Sequence, residues 1–89
     1  MRHPELVDFL LARFDEDEEA ARFVQLSPAP TNRALVEHVL RDVETKRQLV
    51  EYFRDLEGRG FTGGTMDHAL RLIAQTYDAH PHYRDEWRP

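Results

Sequence analysis

Apolar residues along this chain recur three and four positions apart, and nowhere do they alternate convincingly as in a strand. Val7, Leu10, Phe14, Ala21 and Val24 make one such stripe, which Leu6 and Leu11 widen. The stripe predicts a first helix over about 4–26. Pro4 suits the first turn, where its missing N–H has no partner to lose. Glu5 and Asp8 follow with charge suited to the positive end of the helix dipole. Ser27-Pro28-Ala29-Pro30 cannot continue the helix, because proline lacks a donor and restricts the residue before it.

Thr31 or Asn32 then caps a second helix over about 32–57. Its stripe is Leu35, Val36, Val39, Leu40, Val43, Val50 and Phe53. Gly58 and Gly60 are expected to end it. Phe61-Thr62-Gly63-Gly64 reads as a loop. Thr65 is placed as the cap of a third helix over about 65–78, with Ala69, Leu70, Leu72, Ile73 and Tyr77 on its buried side. Pro81 stops that helix near His80.

The short proline connection folds the first two helices into an antiparallel hairpin. Aligned on that turn, Leu6 faces Val50, Phe14 faces Val43, and Ala21 faces Leu35 or Val36. Every pair is apolar on both sides. The expected fold is all-α: a long antiparallel helical hairpin, a shorter third helix, and an ordered tail over 79–89 that packs back on it with one turn at most. At 89 residues it is a single domain.

The tail, Ala79 to Pro89, collects His80, His82, Tyr83 and Trp87 in a stretch without periodicity. Disordered termini are poor in such residues. The tail therefore packs, with His80 ending the helix and Tyr83 and Trp87 pairing on one last turn. Two sharper uses stand beside that one. The rings could instead form a hook for a partner, and His68, His80 and His82 could hold a metal ion. Structural docking is the favoured use, because no third convergent ligand is evident for a metal.

Composition narrows the function classes. The chain holds 12 Lys and Arg against 17 Asp and Glu, for a net charge of -5. Residues 1–30 alone carry three Arg against seven acids. Nucleic acid is a poor partner for such a chain, since phosphate binding needs clustered basic residues. No run approaches membrane-spanning length, and the N-terminus lacks the apolar stretch of a signal peptide. Cysteine is absent, which fits a reducing cytoplasm. Cytoplasmic location, no membrane and no cofactor are the resulting expectations.

The acidic run Asp15-Glu16-Asp17-Glu18-Glu19 wraps round the first helix, so its members cannot all face water. Asp17 falls on the line of Phe14 and Ala21. The hairpin alignment brings Arg41 near Asp15 and His38 near Glu18 or Glu19. A solvated face with one acid paired to Arg13 or Arg41 is the plainest reading. A metal site of Asp15, Glu18 and His38 is the sharper one, although the Glu-x-x-His repeat of two-metal helical bundles is missing. Lys46 or Arg47 faces Leu10, where a long basic side chain can lay its methylenes on the core. Arg47 with Arg71 could alternatively bind a small anion. The lone serine, Ser27, has no orienting His nearby in sequence, and Gly63-Gly64 lacks the lysine and strand of a phosphate loop.

Three stretches carry a resemblance to known sequences. They are Glu5-Leu6-Val7-Asp8-Phe9-Leu10 running into Phe14 to Glu18, then Val39-Leu40-Arg41-Asp42-Val43-Glu44-Thr45-Lys46-Arg47, then Leu70 to Ala74 running into the His-Pro-His-Tyr-Arg-Asp-Glu-Trp-Arg-Pro ending. In that order they resemble a family of short actinobacterial proteins known only as a domain of unknown function. Longer relatives in that family carry an aromatic insertion before the second helix and often cysteines before the third. This chain has neither. The resemblance implies a shared fold and brings no activity.

Nothing in the sequence names a reaction. Dense charge, no catalytic constellation and an aromatic tail point to a small non-enzymatic interaction or accessory protein with a protein partner. Metal or small-anion binding by the acidic helix and histidines is the alternative. Asp15, Asp17, Glu18, Arg41, Arg47, His80, Tyr83 and Trp87 are the residues expected to meet a partner. A homodimer through a leftover apolar stripe of Leu11, Phe23 and Leu49 is a further expectation.

Overall fold

The computed structural model describes residues 4–26, 33–61 and 64–89. Within them the chain forms α1 (Pro4–Gln25), α2 (Arg33–Gly58), α3 (Gly64–Gln75) and a closing 3-10 turn over Asp85–Trp87. The proline connection, the caps placed at Thr31 or Asn32, and Thr62-Gly63 lie outside the described residues. Among the described residues there is no strand.

α1 and α2 pack along one another, while α3 packs on α1 and the closing turn packs on α3. One core results. Leu6, Val7, Phe9, Leu10 and Phe14 of α1 meet Val43 and Val50 of α2, Leu70 and Ala74 of α3, and Trp87 of the tail. The pairs expected across the hairpin, Leu6 with Val50 and Phe14 with Val43, all lie in this cluster. Leu11, Val39, Phe53, Ile73, Tyr77 and Tyr83 pack against its edge.

The far end of the hairpin departs from expectation. Val24 and Leu35, both placed on buried stripes, are exposed, Leu35 at 63%. Length explains it. The 26 residues of α2 span about 39 Å, whereas the 12 residues of α3 span about 18 Å. α3 and the tail shelter only the half of the hairpin that holds the start of α1, so the other end has no third layer. Leu72, also expected inside, is exposed on the outer side of α3.

The helix ends show local chemistry. Gly60 has φ +92°. Phe61 N–H donates to the Leu56 carbonyl at 2.9 Å, and Gly60 N–H donates to that of Glu57 at 3.0 Å. Those two bonds with a left-handed glycine close α2 in a Schellman motif. α3 begins at Gly64, so Thr65 lies in its first turn rather than capping it. It ends at Gln75, short of the expected Asp78. There the Thr76 hydroxyl donates to the Ile73 carbonyl at 2.8 Å, competing for a helical acceptor. Residues 76–79 then follow as tight turns.

Candidate functional site

The tail is organised by Phe9, a residue that the apolar stripe of α1 passes over. Its ring lies 5.0 Å from Trp87, 5.6 Å from His80, 6.1 Å from Tyr83 and 6.3 Å from Tyr77, measured between centroids. Tyr83 and Trp87 meet edge to face at 5.8 Å, as the spacing of four predicts. Trp87 is 6% exposed. While the tail is docked, this ring has no face to offer a partner.

Arg13 covers the other face of the cluster. It is 8% exposed, its guanidinium 4.9 Å above the Phe9 ring. Nη2 reaches Glu16 at 2.9 Å, so the acid expected to pair with Arg13 is Glu16. Nη1 lies 3.0 Å from His80 Nδ1, which also accepts from the His82 backbone N–H at 3.0 Å. Both neighbours can only donate. Nδ1 therefore carries the lone pair and the ring proton sits on Nε2, 3.4 Å from Glu16 Oε1. Further out, Arg84 pairs with Glu5, and Arg71 donates to the Glu86 carbonyl.

Asp17 turns out to serve the turns that follow α3. The Tyr77 hydroxyl donates to its Oδ2 at 2.6 Å. Burial first, then that hydrogen bond and the carboxylate's charge, raise the Tyr77 phenol above its ordinary value. An acid on the buried line of α1 thus has a partner in the turns that follow the third helix.

Arg47, not Arg41, holds the acidic run. It lies 3.0 Å from Asp15, 3.7 Å from Glu18 and 2.7 Å from Glu44. Burial acts to lower the guanidinium pKa, but the hydrogen bonds to Glu44 and Asp15 and the charges of Glu18 and Glu44 outweigh it, so the net shift is upward. Side chains on a helix lean toward its N-terminus. In an antiparallel hairpin Arg47 and Asp15 therefore lean toward each other, which a face-to-face alignment of Cα positions misses. Arg41 is exposed and makes no ion pair among the described residues.

His68, His80 and His82 stand as candidate metal ligands beside the favoured docking role. His80 is engaged by Arg13, and His82 meets its ring edge to face at 5.2 Å. Among the described residues no group of three His, Asp or Glu side chains could hold a metal ion. No helix among them is long and apolar enough to cross a membrane.

The surface that stands out lies at the bare end of the hairpin. Phe23 is 77% exposed and Leu26 is 82% exposed, one helical turn apart. On α1, Glu16 and Glu19 continue the same line at spacings of three and four. Acids and large apolar side chains thus share one outward face.

No curated protein matches the chain, and no solved structure does. One family model does match, over residues 3–89, and so takes in α1, both later helices and the ordered tail together: the chain belongs to the family of unknown function DUF6221.

Proposed function

We propose that the protein is a small non-enzymatic interaction module that binds a protein partner at the bare end of the α1–α2 hairpin. The exposure of Phe23 and Leu26 supports this reading. Large neighbouring apolar side chains left in water are what binding surfaces offer. The acids beside them, Glu16 and Glu19, suit a partner with a basic rim around an apolar anchor. Asp15 and Glu18 widen that acidic margin. His80, Tyr83 and Trp87 serve as the clasp that holds the domain shut, leaving the hairpin end as the binding face.

The test is capture from a lysate of the cells that make the protein, using the intact chain and a Phe23→Glu, Leu26→Glu variant. A specific protein retained by the first and lost from the second supports the site. Equal capture by both refutes it. Binding through the apolar pair survives added salt, whereas binding through the acids alone weakens steeply.

A further inference from the structure

Leu35, Val39, Asp42, Lys46, Leu49 and Phe53 recur at alternating intervals of four and three along α2. That is the spacing of a helix seam. It runs about 80° round the helix from the Val36, Val43 and Val50 line that α1 covers. α3 packs chiefly on α1, so the seam keeps Leu35, Asp42 and Leu49 exposed while Val39, Lys46 and Phe53 are half-buried. Leu49 is 39% exposed, and Leu35 and Tyr52 are more exposed still. Val39 and Phe53 are partly buried against the core and present an edge. Asp42 and Lys46, paired at 2.9 Å, lie in the middle.

The seam is its own complement when reversed. Set against a second copy running the other way, Leu35 meets Phe53, Val39 meets Leu49, and Asp42 meets Lys46. The second half repeats these contacts. We propose that the protein forms an isologous homodimer in which two α2 helices lie antiparallel along this seam.

Charge fixes the arrangement. Parallel pairing in register sets Asp42 on Asp42 and Lys46 on Lys46. Antiparallel pairing shifted by seven residues one way sets Asp42 on Val39 and Lys46 on Leu35. Shifted the other way, it sets Asp42 on Phe53 and Lys46 on Leu49. Only the central register gives each charge an opposite partner and each apolar side chain an apolar one. A polar pair inside an apolar seam selects register in this manner. Of the residues expected to drive self-association, Leu49 belongs to the seam, Leu11 packs against the core, and Phe23 lies on α1. The dimer uses neither Phe23 nor Leu26, so it stands apart from the partner site.

Light scattering on the purified chain tests it. The expected mass is twice the 10.5 kDa of one chain. Asp42→Lys alone and Lys46→Asp alone each place like charges across the dyad and give monomers. Mixed together, the two variants form a heterodimer, an outcome that no contact within one chain can produce. Circular dichroism verifies that each variant folds, since the exposed Asp42–Lys46 pair contributes little to the monomer. A wild-type chain that stays monomeric up to about 1 mM overturns the proposal. So does a mixture that stays monomeric, or a single variant that dimerises as wild type does. A second arm reads the register directly. Val39→Cys with Leu49→Cys places thiols about 15 Å apart on one helix, too far to join within a chain. The protein has no other cysteine. Oxidation should therefore link two chains, and a dimer that fails to link uses another surface.

Discussion

Arg13 and His80, 67 residues apart in sequence, meet through one contact of 3.0 Å between Nη1 and Nδ1. Through it the tail reads the middle of the first helix. Arg13 brings a planar cation over Phe9, a donor for the histidine and a second donor for Glu16. No other side chain type offers all three.

Arg13→Ala is expected to lower stability by about 2 kcal/mol, through lost packing on Phe9 as much as lost charge. Arg13→Lys should recover less than half, because an ammonium cannot stack on Phe9 while serving Glu16 and His80. Urea unfolding of the three proteins checks the order.

Trp87→Ala should cost about 2–4 kcal/mol, as other buried aromatic truncations do. Phe9→Ala should cost a similar amount, and the double variant less than the sum, because the rings pack on each other. Thermal unfolding measures all three. An unchanged melting curve for Trp87→Ala would remove the clasp from this account.

Tyr77→Phe deletes the hydrogen bond to Asp17 and should cost about 1 kcal/mol at neutral pH. It should also change the alkaline limb. The folded protein holds the Tyr77 proton more tightly than the unfolded chain, whose phenol titrates near 10.0. The resulting stabilisation is complete below that value and is lost as pH rises above it toward the raised folded value. Stability of the wild type should therefore fall above pH 10 more steeply than that of Tyr77→Phe. Parallel curves would show that the phenol is not held as described.

Gly60→Ala should cost about 1–2 kcal/mol, since the space is open but φ +92° strains any Cβ. Gly58→Ala, within α2 and equally uncrowded, should be neutral or stabilising. Denaturant midpoints of the two variants separate conformational strain from steric crowding.

The helices were legible because Leu6, Leu10, Phe14, Val43 and Val50 repeat with the period of the element they sit on. Phe9 and Arg13 were not. They lie on a second flank of α1 that Tyr77 and the tail cover, and a stripe read from one helix cannot show what a distant segment will bury. The signal was in the tail itself, whose rings needed an aromatic to pack on, and Phe9 was the ring the α1 stripe left unassigned. Leu35 failed for the opposite reason. Its spacing matches a buried line, but the third layer stops short of it. Arg47 replaced Arg41 beside Asp15 because side-chain lean, which Cα alignment ignores, adds reach in one direction only.

The contacts of Phe9 with Trp87 and of Glu5 with Arg84 join the first turns of α1 to the closing 3-10 turn. α1 and α2 can pair as soon as residue 58 has emerged, but Phe9 stays uncovered until residue 87 is free of the ribosome. Closure therefore waits on the codons of the Asp85–Trp87 turn. A chain stalled between Ala79 and Trp87 would hold most of its helices and still show quality-control machinery an open aromatic face.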